Sequence, residues 1–224
     1  MLELRNKTPF PAALVPGLTK DGTDTVTVVV KATFSLRGLG GDLRLADEQV
    51  PIQHADSFFG EPGLSSIRHE ADSSPAKKRT DIVLNGHAYA QRAGQSVDVR
   101  LAVGRIEKTV RVFGDRVWHR LLGVWKATEP APFERMPLLH ERAFGGVDSS
   151  DPDPKNHERE ARNPIGTGLV LAERPERLDQ LRLPNLEDPA ALIEKPLDRP
   201  APTGFGFIGR DWAPRLAFAG TLDE

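Results

Sequence analysis

The chain contains no cysteine in its 224 residues. Without cysteine, neither a disulfide framework nor a thiolate metal site can form. The absence leaves the cellular compartment open, because many exported proteins also lack cysteine.

Long hydrophobic runs and an excess of one charge are missing as well. The N-terminal residues show no charged region followed by an apolar run, and Pro9, Pro11 and Pro16 interrupt the weakly hydrophobic stretch. This pattern predicts neither a signal peptide nor a membrane span, so the expected location is the cytoplasm. The 30 basic and 32 acidic residues give a net charge of −2. A balanced charge gives no global attraction to nucleic acid, and none is expected as a partner.

The first half of the chain is rich in the alternation that is typical of strands. Residues 24–36 place alternate side chains on two faces, and one face is apolar: Val26, Val28, Val30, Ala32 and Phe34. A period of two with β-branched residues predicts a half-buried strand. The glycines at 38, 40 and 41 predict a turn, after which Leu43 to Ala46 returns as the partner strand.

A second alternating block runs from Asp81 to about Trp125. Its apolar positions recur at every second residue around Ile82, Val97–Val103 and Ile106–Val112. Turns are predicted at Gly104 and at Gly114–Asp115, where glycine accepts a positive φ. The simplest topology for these strands is an antiparallel meander.

The second half is dominated by proline. Twelve of the 19 prolines lie between Pro130 and Pro202, and proline interrupts both interior strands and helices. We expect irregular segments with short strands, and one helical turn that starts at Asp188–Pro189. The sequence thus predicts a mainly β protein: an antiparallel β-sandwich or open barrel built on a meander. It predicts a single domain over 1–224, with a β core at 1–125 and irregular proline-rich segments at 126–224.

Two groups of residues are candidates for chemistry. Arg142, beside Gly145 and Gly146, suits a phosphate cradle, but no strand–Gly–helix context supports this function. The favoured interpretation is a tight turn with Arg142 paired to a carboxylate. His54, His69, Glu70 and Asp72 lie in one loop and have the side chains of a metal site or hydrolase. These four residues do not have the ligand spacing on rigid elements that a metal site needs. No catalytic residues, metal site or cofactor are therefore predicted.

A series of short motifs, in order along nearly the whole chain, resembles a bacterial family. The motifs include Asn6–Phe10, Val30–Phe34, Phe59–Pro62, Lys78–Ile82, Gly86–Ala88, Val112–Trp118, Pro137–Leu138, Glu141–Gly146, Asn163–Gly166, Leu183–Glu187, Pro202–Phe207, Trp212–Arg215 and Ala219–Thr221. The chain is similar in these motifs to the uncharacterised-domain family of type VI secretion system accessory proteins.

The resemblance implies a cytoplasmic adaptor or chaperone that is not an enzyme. It would bind a secreted effector or spike-tip protein and help to load it. Aromatic residues and arginine usually anchor interfaces, and the candidate contact residues are Phe58, Phe59, Arg142, Phe144, Asn163, Asn185 and Trp212. Two alternatives stay open: an envelope-directed hydrolase that uses His54, His69, Glu70 and Asp72, and a structural component of the secretion apparatus.

Overall fold

A computed structural model describes residues 3–19, 21–36, 42–73, 80–170 and 175–219. These residues are mainly β, which confirms the predicted fold class. The strands in the first part of the chain are β1 (Ala12–Leu18), β2 (Asp24–Val30), β3 (Phe34–Leu36), β4 (Leu43–Leu45), β5 (Ser57–Phe58) and β6 (Ile67–His69).

The remaining strands follow from residue 87 onward. They are β7 (His87–Gly94), β8 (Ser96–Val103), β9 (Ile106–Phe113), β10 (Trp118–Leu121), β11 (Val124–Ala127), β12 (Phe133–Pro137), β13 (Phe144–Gly145), β14 (Val147–Asp148), β15 (Glu158–Arg159), β16 (Thr167–Gly168) and β17 (Leu186–Glu187). Within the described ranges, the helices are one α-helix and three short 3-10 helices: α1 (Ala213–Ala219), and the 3-10 helices His140–Arg142, Pro154–Asn156 and Pro175–Leu178.

The strands form many small, mostly antiparallel sheets. The largest sheet among the described residues has three strands in the order β17-β9-β8, and none of the described sheets closes into a barrel. The β8–β9 hairpin turns at Gly104 with a φ of +59°, where the sequence predicts it. The hairpin turn predicted at Gly114–Asp115 is wrong, because β9 pairs with β8 and β17 whereas the following strand, β10, pairs with β11. The β10–β11 hairpin turns at Leu122–Gly123, where both residues have a positive φ.

The described residues divide into two compact units. The first unit takes its residues from 3–57 and 69–80, and the second from 58–68 and 81–219. The expectation of one domain over 1–224 stays a prediction. In the described residues, no helix has both the length and the apolar character needed to cross a membrane.

The first unit contains two hairpins, β1–β2 and β3–β4. Polar side chains that bond to the backbone connect several of its described parts. The Gln49 amide bonds to the N–H of Thr33 at 2.8 Å and to its C=O at 3.1 Å, as a neighbouring strand would do. Asp72 accepts from the Gln53 N–H and from Lys31 Nζ, both at 2.7 Å. The turn predicted at 38–41 lies outside the described residues.

The second unit contains the apolar cores. Two small sheets share the main core, because Val110 and Val112 of β9 pack in one cluster with Ala88 of β7 and Met136 of β12. A second cluster surrounds Trp118, which is almost fully buried. The proline-rich half adds short segments to both clusters. At the predicted helical turn, the Asp188 carboxylate accepts the Ala190 N–H at 2.9 Å, but no helix forms there.

Candidate functional site

One turn of 3-10 helix in the second unit directs three consecutive side chains to three different places. The backbone N–H of His140 donates to the Ser66 hydroxyl at 2.9 Å. The Glu141 carboxylate accepts the Ser66 N–H at 2.9 Å and also the Ser66 hydroxyl. Because Ser66 bonds to both residues, it fixes the turn, and it leaves His140 and Arg142 to enter separate recesses.

Asn163 supports the same turn from inside the protein. Its side chain is fully buried, and Nδ2 donates to the carbonyl oxygens of His140 at 2.8 Å and Phe144 at 3.0 Å. Its own carbonyl accepts from the Gly146 N–H at 2.9 Å. Buried carbonyls need such donors, because an unpaired polar group in the interior is destabilising.

The two glycines after the turn are required by the backbone. Gly145 and Gly146 have φ values of +145° and +104°, a region that side chains with a Cβ rarely adopt. A Cβ on Gly145 would also collide with the Asn163 carbonyl. The glycine pair therefore brings two backbone segments close together. It lies between β13 and β14, after the 3-10 turn, and does not itself form the predicted tight turn.

The first recess is an arginine cleft of about 180 Å³. It is lined by Asp115, Arg116, Glu141, Arg142, Thr167, Arg182, Leu183 and Asn185. Arg142 Nη1 donates to Asn185 Oδ1 at 2.9 Å and lies 3.5 Å from Asp115 Oδ1. Arg142 thus pairs with a carboxylate, as favoured from the sequence, and about a third of its side chain stays exposed to the cleft.

Asn185 connects the end of β9 to the turn through its backbone and its side chain. Its N–H donates to the Arg142 carbonyl and its carbonyl accepts the Phe113 N–H, both at 2.8 Å. Its Nδ2 donates to the Phe113 carbonyl and to Asp115 Oδ1, both at 3.1 Å. With its side-chain groups all paired, Asn185 serves to orient Arg142.

Arg116, which lines the arginine cleft, belongs to a buried ion pair. Arg116 pairs with Glu187, and both side chains are almost fully buried. The Arg116 guanidinium also donates to the Pro184 carbonyl at 2.8 Å and lies 3.9 Å from the ring centre of Phe113. Removal of either partner would leave an uncompensated charge in the interior.

The second recess is the His140 cavity, with a volume of about 140 Å³. It is lined by Lys108, His140, Arg162, Ala201, Pro202, Gly204, Gly206, Ile208, Trp212 and Pro214. The His140 ring meets Trp212 edge-on, with 5.2 Å between ring centres. Burial lowers the pKa of His140, and burial also lowers the pKa of Lys108.

The first unit carries an exposed apolar face on β2, β3 and β4. Its seven members are between 41 and 77% exposed, and they are Val26, Val28, Val30, Phe34, Leu36, Leu43 and Leu45. Phe34 faces Leu45 and Leu36 faces Leu43 across the β3–β4 hairpin. The strand predicted over 24–36 is present as β2 and β3, but the expectation that its apolar row is buried is wrong: that row is exposed, and Thr25, Val29 and Thr33 are half-buried.

The structure separates the seven predicted contact residues into two groups. Phe59 is exposed and carries the Arg68 guanidinium 6.0 Å from its ring centre, while Phe58 and Arg142 are partly exposed. Phe144, Asn163, Asn185 and Trp212 are buried. Burial leaves these four little outer surface; Asn185 lines the arginine cleft and Trp212 lines the His140 cavity. The protein-binding role of the set stays a prediction.

The four residues of the hydrolase alternative do not form a cluster. His54 and His69 are exposed, whereas Glu70 is buried. Asp72 is occupied by Lys31 and by the Gln53 backbone. No group of three or more His, Asp or Glu side chains within the described ranges is placed to hold a metal ion.

Sequence reasoning missed several residues of the site. The sequence analysis does not identify Ser66, Arg116 or His140 as functional residues. Arg116 has a weak signal in the sequence, since it follows a strand end at Phe113–Asp115 within a family motif. The Ser66–Glu141 contact joins residues 75 positions apart, and one sequence carries no local signal for such a pair.

The fold and these recesses define a mainly β protein with two candidate binding recesses and an exposed apolar face. The chain belongs to a bacterial family. Residues 21–224 match the model of the family described as "Uncharacterized protein conserved in bacteria (DUF2169)". Comparisons with curated proteins and with solved structures find no match.

Proposed function

We propose that the protein is a cytoplasmic adaptor of a type VI secretion system, which binds a secreted effector or spike-tip protein and helps to load it. The exposed apolar face of the first unit is the observation that carries this proposal. The sequence motifs also support it, because the resemblance that they carry implies adaptor proteins. Nothing in the proposal requires catalysis by this chain.

The apolar face has the chemistry of a protein contact. Covering a large aliphatic or aromatic side chain contributes roughly 1.5–3 kcal/mol relative to leaving it exposed, and seven such side chains are exposed on β2, β3 and β4. Contiguous exposed apolar surface on a soluble domain typically marks an interaction site. The first unit also lacks a large apolar core of its own among its described residues, so a partner that covers this face would stabilise the unit.

The backbone of the same unit offers a second means of contact. In the described residues, β1 and β2 form a two-stranded sheet, as do β3 and β4. Each strand of such a sheet has one edge that is not paired within it. An extended cargo segment can add to an open edge, where backbone hydrogen bonds provide affinity and alternate side chains provide specificity. We therefore expect an extended apolar segment of the effector or spike-tip protein as the bound element.

Co-elution tests the proposal directly. The full-length protein is purified together with the effector encoded beside its gene, and complex formation is measured by size-exclusion chromatography. The variant Val28→Lys/Leu36→Lys places two charges on the apolar face and should abolish co-elution. Thr27→Lys is the matched control, because Thr27 is exposed beside Val28 but lies off the face, and it should leave co-elution unchanged.

Two results would contradict the adaptor function. The first is the absence of a complex with several neighbouring effectors and spike-tip proteins. The second is an equal loss of co-elution in the Thr27→Lys control. Stable co-purification with sheath or spike components alone would favour a structural role in the apparatus.

A further inference from the structure

We infer that the His140 cavity binds a carboxylate that carries a short apolar group, either a free carboxylic acid or the C-terminus of a polypeptide that ends in an apolar residue. The inference combines the ammonium of Lys108, which has no carboxylate partner among the described residues, with the apolar walls of the cavity. It does not depend on the proposed function, because the cavity belongs to the second unit and the apolar face to the first.

Lys108 lies on the side of β9 that faces the main core. Alternate residues of a strand point to the same side, so Lys108 continues the row of Val110 and Val112, which are fully buried. Its Nζ lies 5.9 Å from the ring centre of Phe205, a residue of the same core. The strand therefore carries a positive charge to the edge of an apolar cluster, where Lys108 lines the cavity.

The Lys108 ammonium has unused hydrogen-bond donors. Among the described residues its partner is the Gly204 carbonyl, at 2.6 Å, and an ammonium has three N–H donors. Burial lowers the pKa of Lys108, and the Asp188 carboxylate offsets only part of this effect. Withdrawing a charge from water without an ionic partner is unfavourable. The residue keeps exposed surface, so a carboxylate can reach the ammonium and supply the missing charge.

The other charges of the cavity leave Lys108 uncompensated. Arg162 holds the Glu160 carboxylate through Nε at 2.8 Å and Nη2 at 2.7 Å, which offsets its charge. Burial lowers the pKa of His140, so its ring is neutral at pH 7. Of the described residues that line the cavity, none carries a carboxylate. An ammonium ligand would therefore meet a like charge, whereas a carboxylate meets an opposite one.

The walls of the cavity select an apolar group beside the carboxylate. They include Ala201, Pro202, Ile208, Trp212 and Pro214, and covering apolar surface is favourable because it removes that surface from water. The volume is about 140 Å³. Since a protein cavity of about 150 Å³ holds one benzene molecule, a short branched aliphatic group fits here. Ala201 and Ile208 are exposed, so the cavity opens to the surface beside them.

A matched pair of small molecules tests the site on the isolated full-length protein. Isovalerate and isovaleramide have nearly the same shape, but only isovalerate is charged at pH 7.5. Binding is measured by calorimetry and by the NMR shift of the Trp212 indole signal. We expect isovalerate to bind about tenfold more tightly than isovaleramide, which corresponds to about 1.4 kcal/mol, because hydrogen bonds to an ionised acceptor are the stronger ones. Acetate, which lacks the branched group, should bind more weakly than isovalerate.

Two variants locate the binding. Lys108→Met removes the ammonium but keeps an unbranched side chain, and it should abolish the preference for isovalerate. Lys126→Met, at an exposed position on β11, is the matched control and should retain the preference. Ala201→Phe fills part of the cavity from an exposed position and should abolish binding of both molecules. Ala102→Phe, at an exposed position on β8, should leave binding of both unchanged.

Three results would overturn the inference: equal affinity for isovalerate and isovaleramide, no binding of isovalerate, or an unchanged preference in Lys108→Met. A tripeptide that ends in leucine, with a free or an amidated C-terminus, distinguishes the two sources of the carboxylate. Tighter binding of the free-acid peptide than of isovalerate assigns the site to a polypeptide C-terminus, and weaker binding assigns it to a small carboxylic acid. These measurements need no effector, so their failure is distinct from a failure of the adaptor function.

Discussion

Ser66 and Glu141 lie 75 residues apart and are joined by two hydrogen bonds. The Ser66 N–H and hydroxyl each donate to one carboxylate oxygen, and the hydroxyl also accepts the His140 N–H at 2.9 Å. Ser66 is almost fully buried. One serine thus provides hydrogen-bond partners for a carboxylate and for the first N–H of the 3-10 helix. In this way it holds the turn between the two recesses.

Replacement of this serine should destabilise the protein measurably. Ser66→Ala leaves the backbone bond but removes the hydroxyl donor to Glu141 and the acceptor for His140. We expect a loss of about 1–3 kcal/mol in the free energy of unfolding, because buried groups become unsatisfied. Urea unfolding measures it. Ser96→Ala, at an exposed position on β8, should change stability by less than about 0.5 kcal/mol, and an equal loss in both variants would contradict the role of Ser66.

The buried pair Arg116–Glu187 should matter far more than a surface pair. Glu187→Gln leaves the Arg116 charge uncompensated in the interior, and Glu187 also accepts the Ile193 N–H at 2.8 Å. Breaking a buried pair costs roughly 3–5 kcal/mol. Glu107→Gln removes the partner of Arg100 in an exposed pair and should cost at most about 1 kcal/mol. The free energy of unfolding of both variants is measured by thermal or urea unfolding. Similar losses for Glu187→Gln and Glu107→Gln would contradict the greater importance of the buried pair.

The hydrogen bonds of Asn163 predict which of its substitutions destabilises the protein more. Its Nδ2 donates to two buried carbonyls, so Asn163→Ala should lower the free energy of unfolding by about 2–4 kcal/mol. Asn163→Asp should be worse at neutral pH, because a carboxylate would face the same carbonyls without a donor. Its deficit relative to Asn163→Ala should shrink as the pH falls and the new carboxyl becomes protonated. Urea unfolding at several pH values checks the order, and a milder effect of the aspartate would contradict it.

His140 should make stability depend on pH below about 6.5, the ordinary pKa of histidine. Burial lowers its pKa in the folded protein, while Glu141 raises it and Lys108 lowers it. The unfolded chain then binds more protons than the folded protein below the ordinary pKa. The free energy of unfolding therefore falls as the pH decreases through this range, until folded His140 is protonated too.

The free energy of unfolding is measured at pH 7.5, 6.5 and 5.5, and its slope against pH reports this effect. His140→Gln should reduce the slope, whatever its effect on stability at pH 7.5. His69→Gln, at an exposed position, serves as the control and should retain the slope. Carboxylates such as Glu160, whose pKa is lowered by its hydrogen bond to Arg162, contribute at lower pH, because their ordinary pKa lies near 4.3.

Local patterns predicted the strands but not always the side that is covered. Alternation correctly indicated β2, β8 and β9, because a period of two is a property of the strand itself. Which face is covered depends on the rest of the chain and on partners, so the valine row of β2 is exposed while its opposite side is half-buried. Helix α1 was missed, although Pro214 near its start and Gly220 after its end are ordinary helix signals.

The candidate site was predictable only in part. The run Glu141–Gly146 is notable in the sequence for its arginine and glycines, and its first two residues belong to the 3-10 turn between the recesses. The contacts that give the turn its place come from Ser66, Asn163 and Asn185, which are distant in sequence. Such contacts arise when separate segments pack, and spacing along one chain does not encode them.

The 3-10 turn also provides a physical connection through which the two recesses can be thermodynamically coupled. His140 and Arg142 are two residues apart on one rigid support, so any displacement of that support moves both side chains together. A ligand that shifts the turn on filling one recess must alter the affinity of the other. Thermodynamic linkage makes the influence reciprocal and equal in free energy.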